Sequence, residues 1–263
     1  MPAARERSIL APMVAATVVS YPLGLWLGSR WLLPVLNTIP AYAAMVVLLR
    51  RGRRDRAVAA TLAWAATLAV VGTLSFRFWP QAPDALVLNG PQYRDEMFRW
   101  IRTGAGSEGS LRLFLPQHLL HLAAFVALSL ATASAASIFM GALLMNYMDF
   151  YVASLARAGV PGWGATLLGW QPWAICRVAA FCILGVVLSE PLLSRLAPYP
   201  YDGLRGAWGV RGAKATKSPG NPPVRPSWVA IAAAGILADW VLKAALAPTW
   251  GSWLRALLPP ATP

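Results

Sequence analysis

"QHLLHLAAFVALSLATASAASIFMGALLMNYMDFYVASL", residues 117–155, is the stretch that decides how often the chain crosses a membrane. It is apolar for nearly forty residues, whereas a single helix crosses a bilayer with about 20. The small residues of "ATASAAS", at 131–137, mark the natural place for the chain to turn back. We therefore predict two spans here, at about 117–133 and 137–155.

Five further apolar stretches flank this hairpin, at about 8–28, 31–49, 57–76, 172–192 and 228–246. Hydrophobic residues make up 57% of the 263 residues and charged residues 13%, against about 25% charged residues in soluble domains. The apolar runs are continuous and rich in Ala and Leu, which favours helices over a barrel of alternating strands. We predict an all-α, polytopic transmembrane helix bundle of about seven spans, forming a single membrane domain over 1–263.

Positive charge is concentrated in "RRGRRDR", at 50–56, and in a Pro- and Gly-rich segment at 194–226. Arg and Lys gather in cytoplasmic loops, and seven spans put both segments on the side of the N-terminus. We expect a cytoplasmic N-terminus, a basic cytoplasmic loop at 194–226 and a C-terminus outside the membrane. The excess of Arg over Lys suits a GC-rich bacterial genome, so we expect a bacterial inner membrane.

The net charge of +13 raises the alternative of a nucleic-acid-binding protein. No platform of aromatic residues is interleaved with the arginines, and topology-setting loops explain the charge. We therefore expect no nucleic-acid partner. The expected partners are the lipid bilayer and other membrane subunits.

The outer loop between spans three and four, at 77–116, contains an amphipathic segment, "NGPQYRDEMFRWIRTG", at 89–104. Asn89 is suited to cap a helix and Gly104 to end one. Tyr93, Met97, Trp100 and Ile101 recur at the spacing of one helical face. We predict a short amphipathic interfacial helix, which either anchors the chain at the membrane surface or covers the mouth of the bundle.

Most ionisable residues of the spans fall in their outer halves. Charges inside a membrane normally face a bundle interior or a wet cavity. We therefore predict an outward-facing polar cavity, covered by the amphipathic helix and lined by these residues: His118, His121, Asn146, Tyr147, Asp149, Arg177, Asp95 and Glu96. The alternative for the two histidines is a position at the lipid headgroups, where they bind water.

Two ion pairs are expected within the spans. Asp239 and Lys243 are four residues apart, in the favourable order for an ion pair along one helix. Asp149 and Arg177 come from different spans at matching depth, and we expect them to pair between helices. Both pairs are equally consistent with a purely structural role.

The polar cavity favours a transporter-like protein or a membrane-complex subunit. No cofactor is predicted, but the sequence leaves open a zinc ion on His118 and His121, and with it an intramembrane metal-dependent hydrolase. Intramembrane CAAX-type proteases carry a Phe-x-x-x-His pattern, which Phe114 and His118 fit, but "DEMFR" at 95–99 is one residue short of their acidic motif and no third histidine exists. A structural or assembly subunit without a site is the third alternative.

Overall fold

The computed structural model describes residues 2–79, 83–196 and 226–259, and every regular element in these ranges is a helix. In chain order the described helices are α1 (Pro2–Trp26), α2 (Leu32–Arg50), α3 (Arg54–Phe78), α4 (Pro83–Leu86), α5 (Gly90–Thr103), α6 (Leu111–Thr132), α7 (Ala135–Arg157), α8 (Gly162–Gly169), α9 (Pro172–Leu196) and α10 (Pro226–Leu257). Seven of them (α1, α2, α3, α6, α7, α9 and α10) are long and apolar enough to cross a membrane. The predicted all-α polytopic bundle is confirmed.

The turn at the centre of the deciding stretch lies at Ala133 and Ser134. Both residues adopt left-handed backbone conformations, with φ of 48° and 67°, and they separate α6 from α7. The Ser134 hydroxyl is buried and donates to the carbonyl oxygen of Gly185 on α9 at 2.5 Å. Small residues are needed here because the turn packs directly against the backbone of a neighbouring helix.

Two helices extend beyond the expected spans. Helix α6 begins at Leu111 rather than 117, and α10 continues to Leu257 rather than 246. Both extensions pass through a proline, Pro116 or Pro248, which removes one hydrogen bond from the helix. Packed neighbours allow membrane helices to continue through such positions. Most of the predicted basic loop at 194–226 lies outside the described residues.

The alternating direction of the long helices gives the bundle two ends. The proximal end holds the α2–α3 turn and the α6–α7 turn, and the distal end holds α4, α5 and α8. The end of α10 is also distal: Arg255 Nε donates to the Ile101 carbonyl of α5 at 2.6 Å, and Trp250 Nε1 donates to the Leu168 carbonyl of α8 at 2.7 Å.

Helix α5 is the amphipathic helix predicted between spans three and four. Its apolar face is buried, with Met97, Trp100 and Ile101 at most 1% exposed, and it packs on α7 and α10. Asn89 takes the N-cap position at φ 62°, but its side chain makes no capping hydrogen bond, unlike the predicted cap. Gly104 ends the helix at φ 75°, where glycine is unstrained. Helix α5 is thus a fixed cover on the distal end of the bundle.

Candidate functional site

Four charged side chains meet beneath α5, and we call them the charge cluster: Glu108, Arg177, Asp239 and Lys243. Arg177 on α9 binds Asp239 on α10 through two parallel hydrogen bonds, Nε to Oδ2 at 3.0 Å and Nη2 to Oδ1 at 2.9 Å. Lys243, one turn further along α10, donates from Nζ to Glu108 Oε2 at 2.7 Å. Two acids and two bases balance each other, which is the condition for burying charges in a bundle.

Glu108 reaches the cluster from the loop between α5 and α6. Burial alone would raise the pKa of its carboxyl group, but the positive charges of Lys243 and Arg177 and the hydrogen bond from Lys243 lower that pKa below its ordinary value. The indole N–H of Trp173 donates to the same carboxylate oxygen at 3.4 Å. Glu108 is therefore ionised at neutral pH.

Two aromatic rings of α6 pack against the charge cluster. The ring centre of Phe114 lies 3.7 Å from Lys243 Nζ and 4.6 Å from Arg177 Cζ, which gives favourable cation–π contacts. The His118 ring stacks between Phe114 and Phe181, at centroid distances of 5.0 and 6.0 Å.

The buried Nε2 atom of His118 lacks a hydrogen-bond partner in the described part of the chain. It lies 3.8 Å from Asp239 Oδ2, which is beyond hydrogen-bonding distance. Buried polar atoms in folded proteins are nearly always paired. His118 also lines the cavity described below, and its Nε2 atom keeps an unused hydrogen-bonding capacity.

A cavity of about 230 Å³ lies inside the bundle, between α6 on one side and α3, α7 and α9 on the other. Its distal part is polar and is lined by Glu96, His121 and Arg177. Its deeper part runs toward the proximal end and is lined mostly by apolar side chains such as Trp64 and Phe181. The cavity is therefore amphipathic along its length.

The cavity reaches the surface of the bundle along α6. Gln117 lines the cavity and is exposed, and His121 lines it and is half-buried. Leu119 and Leu120 of the same helix point outward, at 44% and 68% exposure. A molecule entering beside Gln117 would therefore pass from the outer face of α6 directly to the polar part of the cavity.

The structure places the predicted site residues in three regions. His118, His121, Arg177, Tyr147 and Glu96 line the cavity. Asp95 instead points outward and pairs with the neighbouring Arg94 at 2.8 Å, so its expected place in the cavity is corrected. Asn146 and Asp149 are buried but do not line the cavity, because they lie on another face of α7.

Both predicted ion pairs need correction. Arg177 binds Asp239 rather than Asp149, and Lys243 binds Glu108 rather than Asp239, within the described residues. Asp149 accepts hydrogen bonds from the hydroxyl groups of Tyr21 and Thr73. Which residues pair depends on how each helix is rotated about its own axis relative to its neighbours. The spacing of residues along one helix does not reveal this rotation.

Asn146 and Asp149 belong to a second group, which we call the polar chain: Ser20, Asn37, Asn146, Tyr21 and Asp149. Ser20 Oγ lies 2.6 Å from Asn37 Oδ1, and Asn37 Nδ2 lies 3.0 Å from Asn146 Oδ1. The Tyr21 hydroxyl lies 2.9 Å from Asn146 Oδ1 and 3.0 Å from Asp149 Oδ2. The polar chain links α1, α2 and α7 in the interior of the bundle.

A further ion pair joins α3 to α9 at the proximal end. Arg54 and Glu190 are both about 9% exposed, and the guanidinium binds both carboxylate oxygens through Nε and Nη2. The pair lies at the end of the bundle opposite the charge cluster.

No group of three or more His, Cys, Asp or Glu side chains with the arrangement of a metal site occurs in the ranges that the structure describes. His118 and His121 share one wall of the cavity. Two acids that the sequence predicted for the same cavity, Glu96 and Asp149, are engaged elsewhere: Ser107 donates to Glu96, and Tyr21 donates to Asp149.

Three buried polar residues were not among those predicted from the sequence: Glu108, Tyr21 and Asn37. Glu108 lies in "GSEGS", outside any span, so nothing in its surroundings signals burial. Charge balance was the available signal, because a buried Lys243 requires an acid if Arg177 takes Asp239. Tyr21 and Asn37 are polar residues within apolar spans, a pattern that by itself indicates interior contacts.

Comparison of this chain with protein-family models, with curated proteins and with solved structures finds no match.

Proposed function

We propose that the protein is transporter-like, or the membrane subunit of a transporting complex, and that it takes a small amphipathic molecule into its cavity. The observation that carries this proposal is the cavity itself, with a polar distal part under α5 and a deeper apolar part. A polar head group would lie beside His118 and Arg177, and an apolar tail would extend along Trp64 and Phe181.

The hydrogen-bonding capacity of the walls supports a polar head at the distal end. Arg177 uses Nε and Nη2 for Asp239, which leaves its Nη1 as a donor for a ligand. His118 Nε2 has no partner among the described residues. Ligand sites are typically apolar with a few such polar groups that set orientation.

Photocrosslinking tests where such a molecule binds. Two probes, a diazirine-bearing decanoic acid and its amine-headed analogue, are irradiated with the protein in nanodiscs, and the adducts are mapped by mass spectrometry. We expect adducts on Trp64, Leu144 and Phe181, which line the cavity, in addition to those on the exposed Leu120. The probe with the stronger cavity labelling identifies the preferred charge of the head group.

A cavity-filling variant provides the control. A Cβ at Gly141 would have the Trp64 ring 3.8 Å away, so Gly141→Leu extends into open space and fills the cavity. It is expected to remove the adducts on Trp64 and Phe181 and to keep those on Leu120. The matched variant Ala127→Leu, on an exposed position of α6, should change neither set. Adducts confined to the outer surface in the wild-type protein would refute the proposal.

We also propose that the protein lies in a bacterial inner membrane with the proximal end in the cytoplasm. The arginines of 50–56 support this orientation, since they lie at the proximal turn between α2 and α3. The distal end, with α5 and the polar part of the cavity, then faces outward.

Cysteine labelling tests the orientation. In a variant without Cys176 and Cys182, single cysteines replace the exposed Ala105 and Asp55. A membrane-impermeant thiol reagent added to cells with an opened outer barrier is expected to label position 105 and to leave position 55 unlabelled. Labelling of position 55 in the same cells, whose inner membrane is intact, would show that the protein has the opposite orientation.

A further inference from the structure

The carboxyl group of Asp149 is fully buried and has no cationic partner in the described part of the chain. Its side-chain contacts are hydroxyl groups: Tyr21 OH at 3.0 Å from Oδ2 and Thr73 Oγ1 at 3.4 Å from Oδ1. A buried carboxylate without a cation is costly, and such a group in a membrane bundle is normally neutralised or functional.

We propose that Asp149 is a proton-binding site, and that its proton sets the direction of the hydrogen bonds along the polar chain. The ligand is a proton carried on Oδ2, facing the Tyr21 oxygen. This inference goes beyond the proposed function, because it concerns a region separate from the cavity.

The number of protons in the polar chain supports this site. The Tyr21 hydroxyl has one proton but faces two side-chain acceptors, Asn146 Oδ1 at 2.9 Å and Asp149 Oδ2 at 3.0 Å, and also the Leu68 carbonyl oxygen at 3.5 Å. If Asp149 is protonated, it donates to Tyr21, and Tyr21 donates to Asn146. Every contact between these three groups then contains one proton.

The remainder of the polar chain fits the same direction. Asn37 donates from Nδ2 to Asn146 Oδ1 at 3.0 Å and accepts from Ser20 Oγ at 2.6 Å. If Asp149 loses its proton, Tyr21 donates to the carboxylate instead. The side-chain amides of Asn37 and Asn146 then rotate so that their oxygen and nitrogen atoms exchange places. Ser20 donates to its second acceptor, the Thr17 carbonyl oxygen at 2.7 Å. The polar chain therefore has two complete arrangements, one for each protonation state of Asp149.

The packing around Asp149 favours a proton over a metal cation. The oxygens of Asp149, Tyr21 and Asn146 are in direct hydrogen-bonding contact, so no space remains between them for sodium. The backbone of α3 closes the site, because a Cβ at Gly72 would lie only 2.7 Å from Asp149 Cγ.

The charged groups near Asp149 are engaged elsewhere. Arg94 of α5 pairs with Asp84 and Asp95. Arg157 at the end of α7 donates to Ser154. Both guanidinium groups lie over the ring of Phe150, the residue that follows Asp149. From α9, Arg177 binds Asp239. The groups that α1, α2 and α3 present to this site are Tyr21, Asn37 and Thr73, and of these only the Tyr21 phenol is titratable.

Infrared spectroscopy of the purified wild-type protein tests the proposal. Protein labelled with carboxyl-¹³C aspartate should show, at neutral pH, the carbonyl stretch of a protonated aspartic acid, shifted by the label. This band should be absent from Asp149→Asn and should remain in Asp95→Asn, whose carboxyl group is exposed. Tyr21→Phe should shift the band without removing it, because the hydrogen bond from the acid is lost.

The pH dependence of unfolding gives a second readout. If the folded state holds a proton on Asp149 that the unfolded state has released, stability falls as pH rises. As the pH is raised from mildly acidic to alkaline, the melting temperature of the wild-type protein should therefore fall more than that of Asp149→Asn. If the ¹³C-labelled wild-type protein shows only ionised aspartate at neutral pH, the proposal is wrong, whatever the variants do.

Discussion

Lys243→Met is expected to destabilise the folded protein by about 3–5 kcal/mol, the usual cost of leaving one charge of a buried pair without its partner. Lys243 is 1% exposed and its Nζ donates to Glu108 Oε2 at 2.7 Å. Methionine keeps most of the side-chain volume, so the loss reports mainly the uncompensated Glu108 carboxylate. Equilibrium unfolding in mixed detergent micelles measures this free energy.

The double variant Glu108→Gln/Lys243→Met separates charge from packing. Because it removes both charges together, it should recover most of the stability that the single variant loses. If the double variant is instead as unstable as the sum of the two single variants, the two residues do not interact.

Acid provides an independent check on the same pair. The folded-state pKa of Glu108 lies below the ordinary value of 4.5, so its carboxylate stabilises the fold above that pH. This contribution is lost as the pH falls through the folded-state pKa. The acid-induced loss should be smaller in the double variant, which lacks the carboxyl group.

Gly72→Ala is expected to destabilise the bundle by about 1–3 kcal/mol through overpacking, with a further loss from broken hydrogen bonds. A Cβ at this position would overlap Asp149 Oδ2 and the Tyr21 hydroxyl, and it would lie 2.7 Å from Asp149 Cγ. Neither side chain has free space, since both are fully buried. Thermal unfolding of the variant in detergent measures the effect.

Gly141→Ala is the matched control for Gly72→Ala. It also replaces a helical glycine, but the nearest atom to the new Cβ belongs to the Trp64 ring at 3.8 Å, an ordinary contact. Alanine has the higher helix propensity, so this variant should be as stable as wild type or more stable. Equal losses in the two variants would show that close packing at Gly72 is not the cause.

The fold was predictable from the sequence because apolar length and small-residue turns determine where a chain crosses a membrane. The turn at Ala133 and Ser134 falls within the predicted "ATASAAS", and the amphipathic spacing of Met97, Trp100 and Ile101 correctly gave a helix with one buried face.

The partners within the bundle were less predictable, because sequence position gives depth in a helix but not the neighbour that a face meets. Asp149 and Arg177 lie at similar depth, yet Asp149 meets α1 and α3 whereas Arg177 meets α10. Tyr147 and Asp149 are two residues apart on α7, and only Tyr147 faces the cavity. Rotation about each helix axis depends on packing against the other helices, which the sequence of one helix does not contain.

The charge cluster has a consequence for how the chain is assembled during synthesis. Lys243 follows Glu108 by 135 residues, and Asp239 follows Arg177 by 62, so both partners of the earlier residues arrive with the last membrane helix. Until α10 emerges from the ribosome and inserts, Glu108 and Arg177 have no counter-charge from this pairing. Insertion of α10 supplies both counter-charges in one step, so a chain that stops before α10 would keep Glu108 and Arg177 without the partners that they have in the folded bundle.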